Sequence, residues 1–198
     1  MSDYHSLLRN VTFFRALLDL DRRVALEARS RGCGCSGRLH WARYPRVPLG
    51  VLPPELVDDF SSRWSLCCAA PDCRKRTTPP SVCFLGRRQY IAATFVVLSL
   101  LRHGLSRERM LALHAVIPVD DRTLARWRVW WCRQLPSTGF WRVAAGRFAQ
   151  PVATEDWPFG LLSRFTGDLV QQLTAFLVFL SDLSTTSGRL RSGITMAS

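Results

Sequence analysis

The sequence has almost no lysine: Lys75 is the only one among its 27 basic residues. It also lacks long apolar runs, since the stretch 91–101 is only eleven residues long, whereas a membrane-spanning helix needs roughly 20. The first five residues are polar, and no apolar segment with a small-residue cleavage site follows them, so we predict no secretory signal. These absences predict a chain without a membrane partner, and we expect it in the cytoplasm.

Motifs for nucleotide binding and hydrolysis are absent as well. The sequence contains no Gly-x-Gly-x-x-Gly, no Walker loop and no serine in a nucleophile elbow. Its four histidines are scattered, without a carboxylate at metal-site spacing. The carboxylate pairs 58–59 and 120–121 are adjacent in sequence, so their side chains point apart. We therefore predict that the protein is not an enzyme and has no small-molecule substrate.

Positive charge is concentrated in the middle of the chain. The balance of 27 basic to 15 acidic residues gives +12, and the segment 63–147 alone carries fifteen basic residues against four acidic ones. A GC-rich genome would explain the preference for arginine over lysine, but not this placement. A local excess of positive charge attracts polyanions and speeds their encounter. The distribution therefore favours a nucleic-acid partner.

The seven cysteines form an odd set that does not suit a disulfide framework, so we interpret them as thiols in a reducing compartment. Two tight pairs flank a proline-rich loop, and four thiolates from two turns are what a tetrahedral zinc site requires. Four cysteines would fill the coordination shell, which indicates a structural ion. We predict these zinc ligands: Cys33, Cys35, Cys68 and Cys73.

The spacing of the pairs leaves alternatives for two ligands. The usual knuckle has two residues between its cysteines, whereas here there is one in the first pair and four in the second. Cys67 is adjacent to Cys68 and can replace it, and His40 can replace Cys35. The remaining cysteines, Cys83 and Cys132, are interpreted as small buried apolar residues.

Hydrophobic periodicity and breaker residues predict a mainly α protein with a small β zinc ribbon and a helix-turn-helix bundle. The ribbon strand is expected over 63–68. Five segments follow from the pattern: an N-terminal amphipathic helix (1–30), a zinc-ribbon-like domain (31–87), a helix-turn-helix domain (88–136), C-terminal helices (137–183) and a disordered tail (184–198).

The helix-turn-helix prediction rests on three helices, over 88–103, from Ser106 to about 115, and from Asp120 or Asp121 to Leu135, where Pro136 ends the last one. Successive residues of an α-helix are rotated by about 100°, and this rotation places the apolar and the basic residues of the third helix on two opposite sides. An apolar stripe consists of Leu124, Trp127, Trp131 and Leu135. The opposite stripe consists of Arg122, Arg126, Val129 and Arg133, and its three arginines form a cationic ridge. A recognition helix needs this division, because one side packs on its own domain while the other enters a groove.

Two sets of basic residues are expected to contact duplex DNA. The ridge would face the groove, and phosphates would be contacted by Arg74, Lys75, Arg76, Arg87 and Arg88. Trp127, Trp130 and Trp131 are expected in the core rather than as base-stacking platforms, and Trp130, which lies off the apolar stripe, is the one to test for stacking on bases. The C-terminal apolar stripe is expected to form core or a homo-oligomer contact: Phe165, Leu169, Leu173, Phe176 and Leu180.

Several of these motifs together suggest a family. The sequences CGCSGRLH at 33–40, CC at 67–68, CRKRTTPPS at 73–81 and FLGRR at 84–88 resemble the N-terminal zinc ribbon of bacterial insertion-sequence transposases. The sequence TLARW at 123–127 resembles the recognition helix of transposase and resolvase helix-turn-helix modules. The first cysteine pair departs from the family spacing.

This resemblance implies a DNA-binding protein of mobile-element origin. A transposase also needs an RNase H-like core with three carboxylates, and the 63 residues after Leu135 hold no run of strands. We therefore expect no catalytic core in this chain. An alternative is a zinc-ribbon module that binds proteins rather than nucleic acid, and a third is a transposase fragment that works with a nuclease from another chain.

Overall fold

The computed structural model describes residues 6–85, 90–102, 120–148 and 150–185. The second helix of the predicted helix-turn-helix and the tail residues 186–198 lie outside this part of the chain. Seven α-helices are found within it: α1 (Val11–Ser30), α2 (Ala92–Arg102), α3 (Asp121–Val129), α4 (Leu135–Ser137), α5 (Gly139–Ala144), α6 (Phe159–Leu162) and α7 (Leu169–Leu180). The three strands are β1 (Leu39–Pro45), β2 (Ser62–Cys68) and β3 (Arg76–Thr77).

The fold class is mainly α with a small antiparallel sheet, as the sequence predicted. The strands lie in the order β1-β2-β3, with β2 in the centre. In the β1–β2 ladder Leu39 lies opposite Cys68, and Pro45 lies opposite Ser62. The predicted strand 63–68 is confirmed, and it begins one residue earlier. Because β2 ends at Cys68, the sheet delivers this cysteine directly into the turn that carries Cys73.

Helix α1 begins later than its hydrophobic pattern predicted. Asn10 has an extended backbone and its side-chain oxygen accepts a hydrogen bond from the N–H of Phe13 at 2.9 Å. Asparagine is a favoured residue at this capping position, because it satisfies one of the free N–H groups of the first turn. The helix buries Phe13, Phe14 and Leu17 and ends beside the first cysteine pair.

The predicted third helix is present, but one of its turns is a π turn instead of an α turn. Helix α3 is followed by a single π turn over Trp130–Gln134, in which the N–H of Leu135 donates to the carbonyl of Trp130. Pro136 does not stop the helix, which continues through α4 to Ser137. In a regular α-helix the proline ring would press on the carbonyl four residues earlier, and the wider π turn lies at that point.

A single buried cluster connects the helices. The ring of Trp131 stacks with Phe95 of α2 at a centroid distance of 5.3 Å and with Phe176 of α7 at 5.8 Å. Leu173 and Leu180 on α7 are also fully buried. The apolar C-terminal stripe is therefore core at these positions, as the sequence predicted, and it holds α3 in a fixed orientation.

A buried polar network ties α1 to the loop that follows the sheet. The carboxylate of Asp21 accepts hydrogen bonds from the hydroxyl of Ser81 (2.8 Å) and the N–H groups of Val82 (2.6 Å) and Cys83 (3.3 Å). Burial raises the pKa of Asp21, while these hydrogen bonds and the charge of Arg63 oppose the rise. A buried carboxylate with three donors is an interaction that the fold depends on.

Replacement of Asp21 by alanine is expected to lower the free energy of unfolding by about 3 kcal/mol. The reason is that the variant leaves the buried hydroxyl of Ser81 and the buried N–H of Val82 without their acceptor. The N–H of Cys83 keeps its second acceptor, the hydroxyl oxygen of Ser81, at 3.2 Å. Asp19→Ala is the matched control, because Asp19 lies on the same helix and is exposed, and we expect it to change stability by less than about 0.5 kcal/mol. Urea unfolding of both variants measures the difference, and equal midpoints would contradict the importance of the network.

Within the described residues, none of the helices combines the length and the apolar character that a bilayer crossing requires.

Candidate metal centre

The first cysteine pair lies in a tight loop that follows α1. Gly32 has a φ of 73°, a conformation that glycine adopts without steric cost, and it turns the chain out of the helix. The N–H of Ser36 then donates to the carbonyl of Cys33 at 2.8 Å, and the N–H of Cys33 donates to the carbonyl of Gly37 at 3.0 Å. This loop brings the thiols of Cys33 and Cys35 together although only one residue separates them.

The second pair is held by the turn between β2 and β3. The N–H groups of Cys73 and Arg74 both donate to the carbonyl of Ala70 at 3.1 Å, and the N–H of Cys68 donates to the carbonyl of Lys75 at 3.0 Å. Arg74 has a φ of 45°, so this turn reverses the chain through a left-handed residue. The four intervening residues are thereby folded into a compact turn with both thiols on one side.

The four predicted ligands converge. The Sγ atoms of Cys33 and Cys73 are 3.7 Å apart, those of Cys35 and Cys68 are 3.5 Å apart, and all four lie within 4.8 Å of one another. A tetrahedral ion with zinc–sulfur bonds of about 2.3 Å would hold its sulfurs about 3.8 Å apart. The cluster therefore has the size that such an ion requires, and these cysteines can hold a metal ion.

Backbone N–H groups support the sulfurs from outside the cluster. Gly37, Ala70 and Lys75 donate to the sulfurs of Cys35, Cys68 and Cys73, respectively. In each case the donor lies two residues after the cysteine, so both turns use the same local geometry. Hydrogen bonds to a ligand sulfur stabilise its negative charge and fix its orientation. Each of these three hydrogen bonds therefore favours the thiolate form of the cysteine that accepts it.

The thiols of the cluster differ in their pKa values. The hydrogen bond from Gly37 and the neighbouring thiols lower the pKa of Cys35 to about 7. The hydrogen bond from Ala70 acts in the same direction on Cys68, but burial and the other cysteines outweigh it and raise the pKa of Cys68 to about 12. A thiol with a lowered pKa beside others with raised values is what four sulfurs in close contact produce when they compete for negative charge.

The alternative ligands lie on the other side of the sheet. Successive side chains of a strand point to opposite faces, so Cys67 faces away from the cluster that contains Cys68. Its sulfur lies 3.7 Å from the carbonyl oxygens of Cys68 and Arg74. His40 is opposite Cys67 in the β1–β2 register and is exposed. Neither residue belongs to the group of four that the structure brings together.

A small apolar cluster supports the metal centre. Its buried members are Ala28 from α1, Leu39 from β1, and Leu66 and Cys68 from β2. Cys33, Ala70 and Cys73 pack against this cluster. The cysteine loops are therefore anchored to both the helix and the sheet, and their geometry depends on the packing of all three.

Gly37 approaches the cluster so closely that a side chain does not fit. A Cβ atom at this position would lie 2.6 Å from the sulfur of Cys68 and 3.2 Å from that of Cys35. Gly34, three residues earlier in the same loop, has no atom within 4 Å of such a Cβ. The two glycines therefore form a matched pair for testing the site.

The Gly37→Ala variant is expected to have at least tenfold lower affinity than the native protein for an added metal ion such as zinc, because its methyl group displaces one of the four sulfurs. The Gly34→Ala variant should have the same metal affinity as the native protein. Competition of each purified protein with a chromophoric chelator measures the affinities. Equal metal affinity of the two variants would show that the sulfurs of Cys35 and Cys68 do not converge beside Gly37.

The predicted DNA-contacting residues are exposed wherever the structure describes them. Arg74, Lys75 and Arg76 lie in and after the turn that carries Cys73. The ridge residues Arg122, Arg126 and Arg133 are exposed along α3 and its π turn. Arg87 and Arg88 lie outside the described residues.

The division of the third helix into two sides matches the prediction. Leu124, Trp127, Trp131 and Leu135 expose 6% or less of their surface. The start of the helix is capped by Asp120, which accepts a hydrogen bond from the N–H of Thr123. The hydroxyl of Thr123 in turn accepts from Arg126 at 2.6 Å. The ridge therefore stands on a capped and firmly packed helix.

Trp130 belongs to the core, which is the role that the sequence favoured for it, and it is not available for stacking on bases. Trp130 is only 6% exposed and packs edge-on against Phe95 and Trp131. Packed helices commonly bury an arc of 100° or more, which is wider than the stripe drawn from the sequence. Cys83 is buried as expected, whereas Cys132 is half-buried.

The sequence pattern did not point to a pair of tryptophans at the surface of the sheet, of which Trp41 is exposed and Trp64 is half-buried. Trp41 and Trp64 lie on one face of the sheet with a ring-centroid distance of 5.0 Å. The available signal was the alternation of Leu39, Trp41 and Arg43 along β1, which places all three on the same face.

Comparison of the chain with protein-family models, with curated proteins and with solved structures found no match. The resemblance to transposase zinc ribbons therefore stays a prediction from the sequence motifs.

Proposed function

We propose that this protein binds duplex DNA and that a structural zinc ion holds its DNA-contacting ribbon in shape. The observation that carries the proposal is the two-sided third helix. Its arginines are exposed, and its opposite side is locked into the core by Trp127 and Trp131. A cationic ridge on a rigid helix presents its charges at fixed positions, which suits the regular phosphates and groove edges of a duplex.

The ribbon supplies a second group of positive charges. Arg74, Lys75 and Arg76 directly follow Cys73, and the N–H of Lys75 donates to the sulfur of that cysteine. An ion bound to Cys73 would therefore fix the backbone of the basic turn. Flexible arginine and lysine side chains on a fixed backbone are suited to phosphate contacts, which position a protein on DNA without reading its sequence.

Zinc is the ion that fits this ligand set best. Four cysteine sulfurs at tetrahedral spacing are typical of structural zinc sites. Four thiolates leave no coordination position for water, so an ion here would stabilise the fold rather than activate a nucleophile. The ligands would be Cys33, Cys35, Cys68 and Cys73. Their thiol protons would be released on binding, so metal affinity would fall as the pH falls.

The proposal is tested by fluorescence anisotropy of a labelled random duplex of about 30 base pairs, with zinc-loaded protein at low salt. We expect saturable binding that weakens when the zinc is removed with a chelator and returns when zinc is restored. Sedimentation of the protein without DNA provides the comparison with the alternative function. Self-association of a folded protein that leaves the duplex unbound would favour the protein-interaction module.

A further inference from the structure

One face of the sheet carries a layered arrangement of arginines and tryptophans. The guanidinium carbon of Arg43 lies 4.0 Å from the ring centroid of Trp64, and that of Arg29 lies 5.2 Å from the ring centroid of Trp41. The two rings are in contact and tilted by 54°. Arg29 is further held by a hydrogen bond from its Nε to the carbonyl of Leu39 at 3.1 Å. We call these four residues the Trp–Arg ladder.

The ladder lies at the surface of the sheet: Trp41 and Arg43 are exposed, and Arg29 is half-buried. Trp41 exposes 37% of its surface and Trp64 is half-buried. By contrast, Trp127, Trp130, Trp131 and Trp157 are buried in the core. A tryptophan pair at the surface costs solubility and contributes little to the core. Its position on a sheet face, where it is flanked by cations, is typical of a surface that binds a flat, negatively charged partner.

An open cationic cavity adjoins the ladder. It has a volume of about 670 Å³ and lies between the end of α1, the first cysteine loop and the start of β1. Among the described residues that line it, three are arginines (Arg29, Arg31 and Arg38) and none is a carboxylate. Arg29 belongs to both the cavity and the ladder. The segment 22–46 as a whole contains seven arginines and one acidic residue, so this surface is complementary to a polyanion.

We infer that the ladder and the cavity together bind a single-stranded stretch of nucleic acid. An unpaired base stacks on Trp41, the exposed ring of the ladder, and a neighbouring phosphate lies in the cavity among the three arginines. Base–aromatic stacking tolerates any sequence, because every base has a π-face. A base inside a duplex already stacks on its neighbours and cannot reach the indoles, so this surface selects unpaired nucleotides.

This inference deepens the proposed function, because it assigns the ladder and the cavity to unpaired strands and leaves the duplex to the ridge of α3 and the basic turn 74–76. The two surfaces share no residue. A protein with both would bind a junction where a duplex opens into single strands. The two activities can therefore be tested separately in the same preparation.

In the experiment, the zinc-loaded protein is titrated with a twelve-nucleotide oligothymidylate, and intrinsic tryptophan fluorescence measures the binding. Oligothymidylate forms no duplex, and quenching reports on the exposed indoles. We expect Trp41→Ala to weaken oligothymidylate binding about tenfold and to leave duplex binding within about twofold. Trp41→Phe keeps an aromatic ring and should recover most of the loss. Phe159→Ala, at a residue 57% exposed on α6, is the surface control.

The outcomes separate this inference from the proposed function. Duplex binding without oligothymidylate binding would overturn the inference and leave the proposed function standing. The failure of both ligands to bind would contradict both. Equal oligothymidylate affinity of the native protein, Trp41→Ala and an Arg43→Gln variant would also overturn the inference. So would competition by polyglutamate as strong as that by the oligonucleotide, because it would indicate an acidic polypeptide as the occupant.

Discussion

Replacing Cys68 by serine is expected to abolish zinc binding and to unfold the ribbon, whereas replacing the adjacent Cys67 should leave both intact. The two substitutions are chemically identical and one residue apart. They differ because β2 points Cys68 into the group of four sulfurs and Cys67 to the other face. Structural zinc contributes about 10–16 kcal/mol to folding in small zinc-finger peptides at neutral pH, so the difference should be large.

Native mass spectrometry measures the zinc content, and hydrogen exchange measures the order of the ribbon. We expect one zinc per chain in the native protein and in Cys67→Ser, and none in Cys68→Ser. Residues 33–77 should lose their protection in the zinc-free variant, while the core around Trp131 keeps it. Because Cys68 is also buried, chelation of the native protein is the second measurement, and added zinc must restore protection. Retention of zinc by Cys68→Ser would contradict the assignment of the ligands.

Removal of the arginine ridge is expected to weaken duplex binding by one to two orders of magnitude. The variant carries Arg122→Gln, Arg126→Gln and Arg133→Gln, all at exposed positions. Each phosphate contact that is lost reduces the slope of log affinity against log salt by about one. The slope should therefore become shallower by about three, in addition to the loss of affinity at any single salt concentration.

A charge-matched control separates specific contacts from net charge. Arg142→Gln, Arg147→Gln and Arg164→Gln together remove the same three charges from exposed positions elsewhere. We expect this control to change the salt slope by less than one. Circular dichroism of both triple variants should match that of the native protein, since none of the six side chains is buried. An equal loss of affinity in the two variants would show that the ridge is not the contact surface.

The cysteine site shows which features of a metal centre can be predicted from the sequence. The residue types and their two clusters predicted the four sulfurs that meet, with Cys67 and His40 as open alternatives. The choice between Cys67 and Cys68 needed the register of β2, because a shift by one residue exchanges the faces of a strand. The irregular spacings are explained by left-handed residues at Ser36 and Arg74, which compress a short loop and a long turn into similar shapes.

The third helix shows a different limit. Its angular pattern correctly separated the exposed arginines from Trp127 and Trp131, because both sides follow from local geometry. The burial of Trp130 depends on Phe95, which is distant in sequence and packs among three indoles. Contacts of this kind are set by tertiary packing, which periodicity does not contain. The buried hydrogen bonds that Asp21 accepts from residues about 60 positions later likewise cannot be predicted from a local sequence pattern.

The proposal that a zinc-stabilised ribbon and an arginine ridge bind DNA is tested most directly by the salt dependence of duplex binding. The measurement uses the zinc-loaded native protein and a random duplex across a salt series. We expect affinity to fall steeply, with a log–log slope of about −5 or steeper, because the proposal assigns at least five cations to phosphates. A folded, zinc-loaded protein that does not bind at low salt, or whose affinity is independent of salt, would contradict the proposal.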